Sequence, residues 1–118
     1  MLGPYLAPLQ AALGYTGGSH TLEDVRKELA DGQLQLWPGP RSFILTRLGI
    51  HPSGQRVAHV FCMGGVPEEL AVMRPVVEAW AKSQGCTRMT ALGRRGWERH
   101  PLLGNGWSPT MTWFEKEL

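Results

Sequence analysis

The chain has 118 residues, 42% of them hydrophobic, and a formal net charge of +2. Residues 1–118 are expected to form a single domain, because that length builds one sizeable core and is too short for two. The small positive balance does not by itself point to nucleic acid, and no apolar run approaches the roughly 20 residues of a membrane-spanning helix.

The first helix is predicted over residues 5–14, where Leu6, Leu9, Ala12 and Leu13 fall at helical spacing and Gly14 is the stop. GYTGGSH is a loop. Thr21 then opens TLED, a capping-box pattern with an acid three residues on, and Leu22, Val25 and Leu29 give a second helix one apolar face before Gly32 ends it. Three strands follow: QLQLW (33–37), broken by Pro-Gly-Pro; SFILTRLGI (42–50); and, after the turn HPSGQ, RVAHVFCM (56–63). Their short connections make neighbours antiparallel.

A long helix is predicted from Pro67 to about Gln84, with Leu70, Met73, Val77, Trp80 and Ala81 on one face and Gly85 as its end. Pro75, inside it, removes one backbone donor and is expected to kink it. TRMTALG (87–93) reads as a strand, GRRGWERHPLLGNGW (93–107) as a turn, short helix and loop, and SPTMTWFEKEL as a closing strand. The fold class is therefore α/β (α+β), in the order α-α-β-β-β-α-β-α-β, around a central, mostly antiparallel mixed sheet. Cys62 and Cys86 form no CxxC pair and have no zinc spacing, so no metal site is expected, and free thiols suit a reducing compartment. MLGPYLAPLQAALGY, with two prolines and no basic residue, does not read as a secretory signal.

This order resembles the GCN5-related N-acetyltransferase fold over nearly the whole chain. More narrowly, SHTLEDV (19–25), QLWPG (35–39), the Gly-Gly before the long helix, EAWAKSQGC (78–86) and GRRGWER (93–99) resemble small acetyltransferase-like proteins of tailed bacteriophages and prophages. The resemblance implies acetyl-CoA as cofactor, bound where two central strands splay apart, with backbone amides of the loop after the strand ending at Met63 on the pyrophosphate. The coenzyme-contacting residues would then be Phe61, Cys62, Met63, Gly64, Gly65 and Val66.

The residues of that loop depart from the family's pattern, which reads Gln or Arg, two residues, Gly, one residue, then Gly or Ala. Anchored on Gly64, its first and last positions are Phe61 and Val66; anchored on Gly65, they are Cys62 and Pro67. Pro67 supplies no N–H. Glu68 and Glu69 suit a helix N-terminus but repel a phosphate placed there. A tight turn between strand and helix also explains the glycines. The loop is thus either a structural turn or a coenzyme cradle.

Acetyl transfer needs a base for the amine and often a tyrosine acid for the thiolate. The only tyrosines are Tyr5 and Tyr15, near the N-terminus. His59 is the best-placed base, against the alternative of a hydrogen-bonded core histidine. Glu98, with His100, is a second option, equally explained as a solvated helix face. Arg94, Arg95 and Arg99 around Trp97 form either a basic aromatic patch for an anion, phosphate or acidic surface, or a solvated rim over packed tryptophans. Trp37, beside the Pro-Gly-Pro turn, is expected to lie outside the core and to contact a partner.

The leading expectation is a phage-type protein with an acetyltransferase-like fold, without efficient acetyl transfer, binding other phage proteins in the virion or its assembly. It would act in the host cytoplasm or in the particle. The alternative is an active acetyl-CoA-dependent N-acetyltransferase acting on a host protein or small amine. A third is an anion or nucleic-acid binder using Arg94, Arg95 and Arg99.

Overall fold

The computed structural model describes Leu9, residues 20–91, residues 106–108, residue 110 and residues 114–118. The rest of the predicted first helix and the short helix after residue 93 lie outside the described residues. Leu9 itself is helical and fully buried.

Helix α1 spans Leu22–Ala30. Its start is local chemistry: the Asp24 N–H donates to Thr21 Oγ1 (3.2 Å) while the Thr21 N–H donates to Asp24 Oδ2 (2.9 Å), a reciprocal capping box. At the other end Gly32, at φ +76°, lets its own N–H reach the Leu29 carbonyl and that of Gln33 reach the Glu28 carbonyl. Leu34 N–H also donates to Glu28 O (3.2 Å). These bonds keep residues 33 and 34 with the helix end, so strand β1 is Gln35–Pro38 rather than the predicted 33–37.

Strands β2 (Phe43–Ile50) and β3 (Arg56–Gly64) follow, then helix α2 (Pro67–Ser83) and strand β4 (Arg88–Ala91). The sheet order is β1-β2-β3-β4, antiparallel except for the β3–β4 pair, which is parallel because α2 is the crossover between them. Pro-Gly-Pro is the hairpin turn: Pro38 still pairs with Phe43, and the Gly39 N–H donates to Ser42 O (2.7 Å). β1 is the edge strand, where a residue without an N–H is tolerated.

Helix α2 continues through Pro75 to Ser83 and ends as α1 does, with Gly85 at φ +80° donating to Lys82 O and Cys86 to Ala81 O. Leu70, Val77 and Ala81 are its buried residues, with Met73 and Trp80 half-buried, the predicted face. The expected closing strand is not seen where it is described: Ser108, Thr110 and residues 114–118 are outside any strand and exposed. No described strand pairs with them.

Two cores sandwich the sheet. Leu9, Val25 and Leu34 pack on Phe43, Leu45 and Cys62 on the α1 side, while Leu70 and Val77 pack on Ile44, Val60 and Met63 on the α2 side. Between them β3 carries a bulge: Leu45 pairs with Cys62 and Thr46 with Val60, leaving Phe61 as the extra residue. Phe61 and Cys62 therefore both pack toward α1, against simple alternation.

Candidate functional site

The strand–loop–helix junction after β3 is held from within. Gly64 still pairs with Phe43, and only Gly65 turns the chain, at φ +121°. A β-carbon on Gly65 would clash with Ser42 Oγ and meet Ser42 Cα at 2.5 Å and the Arg41 carbonyl at 2.6 Å, so the turn is pressed against the β1–β2 hairpin. The Val66 N–H donates to the hydroxyl of fully buried Ser42 (2.8 Å), and the next residue, Pro67, has no N–H.

Glu69 turns back to the same hairpin, accepting from the Arg41 N–H (2.8 Å) and Arg41 Nε (3.2 Å). The Arg41 backbone bond, then the Ser42 hydroxyl and the Arg41 side chain, hold its carboxyl below the ordinary value against partial desolvation. Glu68 is exposed.

The parallel β3–β4 pairing covers Val57–Val60 against Arg88–Ala91, and β3 runs on to Gly64. On the α2 side, the end of this pairing is filled by Val60, Met63, Met89 and Trp107, leaving a cavity of about 10 Å³. That is the lower limit for one water. Trp107 is tied down by its indole N–H, which donates to Glu78 Oε1 (3.1 Å).

Polar chemistry gathers on the α1 side. Arg47, His59 and Thr90 stand opposite one another on β2, β3 and β4, so one row across three strands carries a guanidinium, an imidazole and a hydroxyl. His59 Nδ1 lies 2.8 Å from Thr90 Oγ1. Burial, and then the nearby Arg47 charge, lower the His59 pKa, so the ring is neutral at pH 7. Arg47 donates to Glu28 of α1 and its guanidinium lies 5.8 Å from the Phe61 ring centroid. His20 meets Phe61 edge-on at 4.6 Å and Glu28 Oε1 at 3.8 Å.

His59 was visible in the sequence, but Arg47, Thr90, Glu28 and His20 were not, because only strand register and helix packing join them. Neither β2 (FILTRLGI) nor β3 (RVAHVFCMG) alternates polar and apolar residues, so periodicity carried no signal for the row. Phe61 to Val66 form the end of β3 and the turn described above. Trp37 corrects the expectation of a loop tryptophan outside the core: it lies in β1, packs on the α2-side core and meets Trp80 at 5.1 Å. Its indole N–H donates to Thr46 Oγ1 (3.1 Å), so the hairpin brings it inward. Glu98, Arg94, Arg95, Trp97, Arg99 and His100 lie outside the described residues. Among the described residues, no three His, Cys, Asp or Glu side chains gather as a metal site, and no helix is long and apolar enough to cross a membrane.

No protein-family model matches the chain, and no curated protein matches it. Solved structures do. A "probable acetyltransferase" matches with a TM-score of 0.64 at 15% identity, over 96% of this chain and 88% of its own. The ribosomal-protein-alanine N-acetyltransferase of Brucella melitensis biovar Abortus 2308 matches with a TM-score of 0.51 at 14% identity, over 90% and 91%. An aminoglycoside N-acetyltransferase in complex with CoA matches with a TM-score of 0.51 at 16% identity, over 81% and 90%. The chain thus has the fold of the GCN5-related N-acetyltransferases.

Proposed function

We propose that this single acetyltransferase-like domain, spanning residues 1–118, is a binding scaffold without efficient acetyl transfer. The carrying observation is that the junction after β3 spends its groups internally. The Val66 N–H is bound by Ser42, exposed Gly65 turns the side where a β-carbon would stand against Ser42, Pro67 has no donor, and Glu69 is tied to Arg41. An anion there finds two glutamates and few converging amides. The filled end of the β3–β4 pairing supports the same reading.

The phage-type sequence motifs extend this reading to a virion- or assembly-associated protein, in the infected cell's cytoplasm or the particle, that binds other phage proteins. Calorimetric titration with acetyl-CoA is expected to give no binding up to millimolar coenzyme. Micromolar binding would overturn the scaffold reading. Mass spectrometry of purified particles tests the virion part, which fails if the chain is absent from them.

One observation favours the alternative, an active N-acetyltransferase using acetyl-CoA on a host protein or small amine. His59 is neutral, hydrogen-bonded and beside the bulge, as a proton acceptor for an amine would be. One of the structural neighbours is a CoA complex, so coenzyme affinity is the first property to measure. Under this reading, His59→Gln lowers acetylation about 100-fold or more without changing coenzyme affinity.

A further inference from the structure

We propose that Thr90 is an acylation site of this protein, its hydroxyl activated by His59 to take an acyl group from a thioester or an activated ester. The proposal rests on the row across the sheet and does not depend on a coenzyme groove. Register places Thr90 directly opposite His59, and the 2.8 Å contact between Oγ1 and Nδ1 is short enough for proton transfer. Thr90 is exposed, so an acyl donor reaches the hydroxyl from solvent, whereas His59 is half-buried and fixed in the row. Arg47, on the other side of His59 and anchored by Glu28, disfavours a protonated imidazole. A neutral Nδ1 without a proton accepts from Thr90, and the ring proton then sits on Nε2. A hydroxyl with an adjacent neutral imidazole is the basic unit of nucleophilic acyl transfer.

The step balances within these groups. Thr90 Oγ1 attacks the acyl carbon, and its proton passes to His59 Nδ1. The new C–O bond forms as the C–S bond of a thioester, or the C–O bond of an aryl ester, breaks. The departing thiolate takes the proton from His59; an aryloxide leaves to water, and His59 returns its proton to solvent. The protein then carries an ester at Thr90.

The test treats the full chain with p-nitrophenyl acetate and, in parallel, with acetyl-CoA, followed by trypsin and mass spectrometry. Cleavage after Arg88 and Arg94 releases MTALGR, in which Thr90 is the sole hydroxyl and no lysine or cysteine competes. The expected result is one added acetyl group on this peptide with p-nitrophenyl acetate. His59→Gln lowers its rate about 100-fold or more. Thr90→Val abolishes it and Thr90→Ser retains it, with far-ultraviolet circular dichroism verifying that each variant is folded. Transfer from acetyl-CoA as well would identify a thioester as a competent donor. An unlabelled MTALGR while lysines elsewhere are acetylated would overturn the proposal, as would labelling that His59→Gln leaves unchanged. Neither result bears on the calorimetric titration, so the scaffold reading stands or falls separately.

Discussion

On the α2 side of the sheet, Ile44, Val60 and Met63 meet Leu70 and Val77 in an apolar cluster closed by tryptophans. On the α1 side, Phe43, Leu45 and Cys62 make an equally apolar floor, but it is bordered by Arg47, His59, Thr90 and Glu28. The same strands supply both faces. Counting back from Cys62 by twos would put Val60 toward α1 and His59 among the apolar side chains under α2. The extra residue at Phe61 reverses that assignment, so the imidazole joins Arg47 and Val60 joins the α2 core. One bulge thus separates a face that is apolar throughout from a face whose apolar floor is bordered by charged and polar side chains. Changes on the α2 side and at its junction should therefore cost folding free energy, and changes in the α1-side row should cost little.

The sharpest way to break this contrast is Gly65→Ala. It forces a side chain into a left-handed backbone and into the Ser42 backbone, and is expected to destabilise by about 4 kcal/mol, from backbone strain and overpacking together. Urea unfolding measures it, and a loss under about 1 kcal/mol would mean that the hairpin and turn are not locked together. Leu70→Ala should cost about 3 kcal/mol by the same method, because a fully packed side chain leaves a cavity under α2.

Smaller effects sharpen the other side. Thr21→Ala removes the α1 cap and should cost about 1 kcal/mol. A double-mutant cycle of Glu28→Gln and Arg47→Met should give a coupling under about 1 kcal/mol, since both groups are partly solvated. A coupling of several kcal/mol would show that the α1-side charges are structural after all.

The smallest effect is a pH dependence. His59 binds its proton less readily in the fold than its ordinary value of 6.5 implies, so the unfolded chain takes up the proton first. The stability contributed by neutral His59 is present in full above about pH 6.5 and is lost as pH falls through the lower, folded value. Arg47 on β2 opposes protonation, Thr90 on β4 is uncharged, and Glu28 and His20 on the α1 side lie across Arg47 and Phe61. Unfolding curves of the wild type and His59→Gln, taken from about pH 7.5 to about 5, should diverge with the wild type losing more. Parallel curves would place the imidazole in a more solvated setting.

Much of the fold was legible residue by residue. Thr21 with Asp24, Gly32 and Gly85 mark helix ends by bonds that reach three to five residues, Pro67 marks one by its fixed φ, and the apolar spacing of α2 named its buried face before any packing was known. Trp37 misled because its neighbours Pro38 and Gly39 describe a turn but not which way the turn folds. Glu28 likewise reads as one more acid on a helix until Arg47 arrives from a strand 19 residues away.

The sequence by itself determined where helices α1 and α2 begin and end, because capping and periodicity are written in adjacent side chains. Only the tertiary structure decided that Phe61 bulges, that Gly65 turns against Ser42, and that Arg47, His59 and Thr90 form a line. Each of those depends on how distant strands pair, and pairing is selected by the summed burial of two whole faces rather than by any local group of residues.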